Sequence, residues 1–227
     1  MLIVIENIID RETIDGIRPQ LKQASWQSGQ QTAGSISSSV KNNQQLDEND
    51  DLARSMGEMI ARAVNANPTF ISAALPAKIY PPKFNKYANG GAYGVHVDSA
   101  VMRSNQHAEI FRSDLSATLF LVDPDEYDGG ELVIETQFGA QTVKQPAGDM
   151  VLYPSSSLHH VTPVTRGERV SSFFWIQSMV RDSEARAYLF DLDQTIQSLR
   201  ADHNADDQRL ISLTGLYHNL LRRWSLV

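Results

Sequence analysis

His96 and Asp98 sit two residues apart in "YANGGAYGVHVD" (residues 87–98), an imidazole and a carboxylate that can together bind a metal ion. On a strand, residues i and i+2 share a face, so the spacing predicts both groups projecting side by side while Val95 and Val97 pack on the other side. His-x-Asp also arises by chance, and alone it reads as a polar bump on a strand. A third ligand must come from another strand, and "SSSLHHVTPVTRGERVSSFFW" (residues 155–175) supplies His159 and His160. Only one can face inward. His159 shares its parity with Val161 and Pro163, so alternation puts it inside and leaves His160 at the rim. Two imidazoles and a carboxylate form a facial triad that suits Fe(II) and keeps coordination positions open for substrates and dioxygen. Zinc can use the same three groups, so the triad by itself does not choose the metal. A zinc hydrolase would also need a nearby general base, and no Glu flanks these ligands in the manner of His-Glu motifs.

Arg169 follows His159 by ten residues and opens the apolar run "RVSSFFWIQ". A permanently charged, forked guanidinium beside metal ligands is what binding a dicarboxylate requires. Its plain alternative is a turn arginine next to Gly167 and Glu168, and the neighbouring triad tips the balance toward the carboxylate role. Phe173 and Trp175 share its strand face, either walling a pocket or filling the core.

Three stretches must position these residues. "MLIVIENIID" reads as a first strand and has no basic leader or cleavage site. Asp10 to Ala24 carries Ile14, Ile17 and Leu21 at helical spacing, and Asp50 to Asn67 carries Leu52, Met56, Met59, Ile60 and Val64, stopping at Pro68. Between them, Ser28 to Asn49 is Ser, Gln, Asn and Gly, predicted as a long polar loop and a candidate lid or substrate-contact segment. From about Leu75 to Gln177 short apolar or alternating runs are punctuated by Pro, Gly and Asp, the pattern of an antiparallel sandwich, barrel or double-sheet jelly roll. The acidic run "DPDEYDGG" (residues 123–130) lacks the ligand series of a calcium loop and reads as a Gly-closed turn. After Asp182 helical spacing returns at Leu189, Leu192, Ile196 and Leu199, then at Leu210, Leu213, Leu216 and Leu220. The expectation is an α+β chain with a mainly β core, divided as an N-terminal strand and helical flank (1–74), a jelly-roll core (75–180) and a C-terminal helical hairpin (181–227). That hairpin's apolar stripe suits either a cover for the core or a contact between copies in a homo-oligomer. His107, His203 and His218 have no paired ligand and read as solvated or capping histidines.

The chain has 227 residues, a net charge of −7 and no cysteine. One sizeable domain is expected. The acidic balance excludes a broad phosphate-binding face, so nucleic acid is not an expected partner, and no run is long enough to cross a bilayer. Disulfides and thiolate metal sites are ruled out, and a bacterial-type cytoplasmic enzyme is expected.

Taken together, "TAGSISSSVKNNQQL", "YANGGAYGVHVD", "LFLVDPDEYDGGELVI" and "GDMVLYPSSSLHHVTPVTRGERVSSFFW", in this order and spacing, resemble the Fe(II)/2-oxoglutarate-dependent dioxygenases, specifically the bacterial PKHD-type hydroxylases, which are similar to prolyl and lysyl hydroxylase domains. The resemblance covers nearly the whole chain. It implies a double-stranded β-helix (jelly-roll) fold, iron ligation by His96, Asp98 and His159, and a salt bridge from Arg169 to the distal carboxylate of 2-oxoglutarate. It also implies a hydrogen bond from Tyr87 to 2-oxoglutarate, with an aromatic packed at a strand end as the alternative. The implied reaction is hydroxylation of an unactivated C–H bond of a small-molecule or peptidyl substrate by dioxygen, with decarboxylation of 2-oxoglutarate to succinate. L-Ascorbate is the implied auxiliary reductant. A non-catalytic iron or 2-oxoglutarate sensor on the same jelly roll is the alternative.

Overall fold

The computed structural model describes residues 1–32, 40–103 and 110–226. Two antiparallel sheets form the centre. The larger runs in the order Ile3–Ile5, Met150–Pro154, Leu115–Phe120, Glu168–Ser178, Lys83–Ala88, Gln44–Gln45 and Gln27–Ser28, with Pro76–Ile79 pairing beside the long Glu168–Ser178 strand. The smaller runs Gly139–Val143, Leu132–Thr136, His159–Val161, Ala92–His96 and Lys41–Asn42. From Lys83–Ala88 onward the chain crosses repeatedly between the two sheets, as in a jelly roll. Tyr87, Phe120, Val151 and Tyr153 of the larger sheet pack with Leu132, Ile134, Val143 and Val161 of the smaller one.

The larger sheet carries two different faces. Leu115, Ala117 and Leu119, with Phe84, Met150, Leu152, Val170, Phe174 and Ile176, join a core made with three helices. The alternate residues Ser116, Thr118, Asn85, Tyr87, Arg169 and Ser171 line a cavity on the opposite side. Period-two alternation assigns the two sets.

The helices follow their expected spans. Arg11–Gln23 begins at Asp10, whose carboxylate accepts from the Thr13 amide, and Asp51–Ala66 begins at Asp50, which caps the Leu52 and Ala53 amides. These side chains satisfy amides that have no partner within the helix. Pro68 does end the second helix, but it also starts a third, Pro68–Ala74, capped by Asn67. Proline at a first helical position lacks only an N–H that would go unused.

At the C-terminus, Ser183–Asp202 and Gln208–Trp224 form the expected hairpin. It docks through Ala185 and Leu189 against Leu75 and Val180, with Tyr217, Leu220, Leu221 and Trp224 packed around them. Buried Arg186 donates to the carbonyls of Val180 (2.7 Å) and Arg181 (2.8 Å).

The predicted polar loop from Ser28 to Asn49 is corrected in part. Residues 33–39 lie outside the described residues, but Lys41–Asn42 pairs with the Ala92–His96 strand and Gln44–Gln45 with Lys83–Ala88. Lys41, Asn43, Gln45 and Leu46 are buried. Pairing to sheet edges satisfies this backbone, and strands of two polar residues carry no apolar period from which they can be read.

Candidate active site

The turn at Asn89 and Gly90 carries the chain from one sheet to the other. Both residues have positive φ, 52° and 80°, and a Cβ on the adjacent Gly91 would lie 2.9 Å from the Ala88 carbonyl oxygen. The following strand, Ala92–His96, is irregular. His96 pairs opposite His159 and Tyr93 opposite Val161, so three steps on one strand match two on its partner. Such a bulge re-aims side chains, and here Tyr93 and His96 both turn toward the cavity. Their rings stack with centroids 3.7 Å apart.

Two expectations about this stretch are corrected. The strand ends at His96, and Asp98 lies just beyond it. Val95 and Val97 are 55% and 48% exposed rather than packed. The helices cover only the larger sheet, so the outer face at Val95 has no layer behind it, while Val97, past the strand end, lines the cavity.

His96, Asp98 and His159 converge, with one candidate ligand atom from each lying within 4.8 Å of the others. His159 is 5% exposed, whereas His160 occupies the alternate position beside Val133. His96 Nδ1 lies 2.8 Å from the Gly94 carbonyl oxygen, and His159 Nδ1 lies 3.0 Å from that of Ser157. A carbonyl only accepts, so each Nδ1 carries the proton and each Nε2 presents a lone pair. Burial, followed by the nearby His159, pushes the His96 pKa down to about 4, which keeps the ring neutral at physiological pH. Asp98 Oδ2 lies 3.9 Å from His159 Nε2 and accepts a 2.6 Å hydrogen bond from Ser116. Two imidazoles whose Nδ1 atoms are tied to backbone carbonyls and one carboxylate, at a spacing small side-chain rotations can close around one ion, fit Fe(II).

Arg169 is only 2% exposed. Its Nη1 donates to Ser171 Oγ (2.8 Å), which donates to Asn85 Oδ1 (2.5 Å), while its Nε has no hydrogen-bond partner. The guanidinium carbon lies 5.3 Å from the Tyr87 ring centroid and 5.4 Å from that of Phe120. No carboxylate among the described residues pairs with it. A buried, unpaired cation is costly, so this site calls for an anion. Burial raises the Tyr87 pKa to about 12, so its phenol remains a hydrogen-bond donor.

The triad and Arg169 line one cavity of about 590 Å³, with Tyr80, Phe173 and Trp175 as an aromatic wall. Tyr80 and Phe173 each meet Trp175 edge to face at 5.5 Å. Lys41, Gln45, Asp47 and Glu48 of the supposed loop also line it. Sequence reasoning missed Asn85 and Ser171, although each stands two positions from Tyr87 or Arg169 and parity would have found it. It also missed Ser116, a polar residue alternating with Leu115 and Ala117 on a buried strand. Of the remaining histidines, His203 caps the Ser183–Asp202 helix, His218 is exposed, and His107 lies outside the described residues.

Comparison with known proteins places the chain in a family. Residues 82–177 match the model of the 2OG-Fe(II) oxygenase superfamily, and residues 183–225 match that of the PKHD-type hydroxylase C-terminal domain. A PKHD-type hydroxylase of Acidovorax ebreus is 57% identical and one of Teredinibacter turnerae 58% identical, each over 99% of both chains. Among solved structures, a Pseudomonas putida prolyl-4-hydroxylase superposes with a TM-score of 0.53 at 19% identity, covering 78% of this chain and 92% of that one. A Trichoplax adhaerens prolyl hydroxylase in complex with a hypoxia inducible factor peptide fragment gives 0.58 at 11% identity, covering 82% and 86%.

Proposed function

This chain belongs to the PKHD-type hydroxylases of the 2OG-Fe(II) oxygenase superfamily, and we propose that His96, Asp98 and His159 hold its Fe(II) while Arg169 holds the distal carboxylate of 2-oxoglutarate. The enzyme is a 2-oxoglutarate-dependent dioxygenase. The observation that carries the residue assignment is the buried guanidinium of Arg169, without a carboxylate partner among the described residues, facing the same cavity as the triad.

Bound iron supplies the meeting point of 2-oxoglutarate and dioxygen and the oxidising power to break an unactivated C–H bond. The chain's residues do the rest. Gly94 and Ser157 carbonyls lock both histidine tautomers, and the Ser171–Asn85 pair holds the Arg169 fork. Tyr87 donates a hydrogen bond to 2-oxoglutarate, and the wall of Tyr80, Phe173 and Trp175 excludes water and shapes the substrate end.

The primary substrate is a small molecule or a peptidyl side chain, contacted by the Lys41–Asn49 segment. Ascorbate as auxiliary reductant, carried by family resemblance, and a cytoplasmic location are further parts of this reading. No helix among the described residues is long and apolar enough to cross a membrane. We keep 1–74, 75–180 and 181–227 as flank, core and C-terminal extension, the last with an exposed Ile211 and Leu216 available to a second copy.

Anaerobic addition of Fe(II) and 2-oxoglutarate should produce the visible charge-transfer absorption of a chelated keto acid. His96→Ala and His159→Ala should abolish it and His160→Ala should not; the reverse for the two adjacent histidines would overturn the ligand assignment. Succinate released on exposure to dioxygen, stimulated by candidate peptides or small molecules, identifies the substrate class.

A further inference from the structure

Resting on the triad reading above, we infer that Ser116 and Ser155 are positioning residues for Asp98, and that the turn carrying Ser155 also aims His159. Both serines are buried to 2% exposure. Ser116 Oγ donates to Asp98 Oδ2 at 2.6 Å and lies 2.8 Å from Ser155 Oγ. Ser116 has one hydroxyl proton, and an ionised carboxylate only accepts, so that proton is committed to Asp98. The second contact must then run from Ser155 to Ser116, giving a relay of fixed direction, Ser155 to Ser116 to Asp98. Each donation polarises the next hydroxyl and strengthens its bond to the carboxylate.

Ser116 takes one lone pair of Asp98 Oδ2, the oxygen that also lies 3.9 Å from His159 Nε2, and so fixes the orientation of the carboxylate while its remaining lone pairs stay available to a metal ion. Asp98 stands beyond the end of its strand, so it has no ladder hydrogen bonds of its own strand to hold it. Ser116, by contrast, is held within Leu115–Phe120, paired on one side with Tyr153 and on the other with Trp175. A rigid central strand thus aims a ligand borne on a loop.

Ser155 is not among the cavity's lining residues, so its influence passes through Ser116. It belongs to the turn after Met150–Pro154, closed by the Ser157 amide on the Pro154 carbonyl (3.0 Å). The Ser157 carbonyl in that turn accepts the Nδ1 proton of His159. The "PSSS" run therefore braces two ligands from opposite sides, one by a hydroxyl and one by a backbone carbonyl.

The test is Mn(II) affinity of the metal-free full chain, read from the free-ion electron paramagnetic resonance signal, with the Co(II) absorption spectrum as a report on coordination. Removing groups that orient a metal ligand weakens binding by about 10–100-fold, so Ser116→Ala should lose about tenfold and alter the Co(II) spectrum. Ser155→Ala should lose less, at an unchanged melting temperature. The double variant should match Ser116→Ala, because a relay without its middle member transmits nothing. Ser172→Ala removes a buried hydroxyl from the helix-facing side of the neighbouring strand and should leave affinity unchanged. Additive losses in the double variant, or unchanged affinity in Ser116→Ala while His159→Ala abolishes binding, would overturn the relay and leave the triad standing. Wild-type affinity in His159→Ala would overturn the triad, and the relay with it.

Discussion

The two faces of the larger sheet are built from the same strands and do opposite work. Toward the helices, Leu115, Ala117, Leu119, Val170 and Phe174 bury apolar surface, which is the main favourable term in folding. Toward the cavity, Ser116, Thr118, Arg169, Ser171, Asn85 and Tyr87 bury polar and charged groups that must find partners or destabilise the fold. One face supplies the stability that the other spends on recognition. Substitutions on the two faces should therefore separate stability from co-substrate binding.

The largest separation is expected from Leu119→Ala, which removes a fully buried side chain from the helix-facing core. It should lower unfolding free energy by about 2–5 kcal/mol in denaturant titrations, with 2-oxoglutarate affinity unchanged in the folded protein. Arg169→Met should do the converse. Loss of one partner of a buried charge pair weakens binding by roughly 2–5 kcal/mol, so the 2-oxoglutarate KM should rise about 30-fold or more. The co-substrate-free fold should be as stable as before or more so, because an unpaired buried cation has gone. Unfolding of this variant at the same denaturant concentration as Leu119→Ala would break the comparison.

Tyr87→Phe keeps the packed ring and removes only a hydroxyl. A neutral hydrogen bond contributes about 0.5–1.5 kcal/mol, so the KM should rise by tenfold or less. No rise at all would assign Tyr87 to packing. The smallest effect concerns Lys41, 5% exposed, whose pKa is lowered from 10.5 to about 8 by burial and then by Lys83. Between about pH 8 and 10.5 the unfolded chain binds more protons here than the folded one, so stability rises with pH across that window. Lys41→Met should remove that slope, read as a difference between the stabilities of wild type and variant at pH 8 and pH 10.

Parity made much of this legible from the sequence. Alternation separates His159 from His160, and puts Phe173 and Trp175 on the cavity side with Arg169. The helices were readable because apolar spacing and capping Asp residues agree at both starts. Parity failed at the bulge, where one extra residue between Tyr93 and His96 breaks the period, and at Val95, because alternation tells which side a residue faces but not whether anything lies behind that side; Val97 lies past the strand end, where alternation no longer applies. The Lys41–Gln45 segment was hidden for another reason: its burial comes from pairing with strands more than 35 residues away, and no local pattern encodes that.

The first strand gives the order in which this enzyme can be made. Ile3 to Ile5 pair with Met150 to Leu152, the strand leading into the turn beside His159. Ile3 to Ile5 are therefore without this partner until Met150 to Leu152 have been synthesised. Closing so long a loop is entropically slow. His96 and His159 meet through the pairing of Ala92–His96 with His159–Val161, so this pocket cannot assemble before His159 has been synthesised.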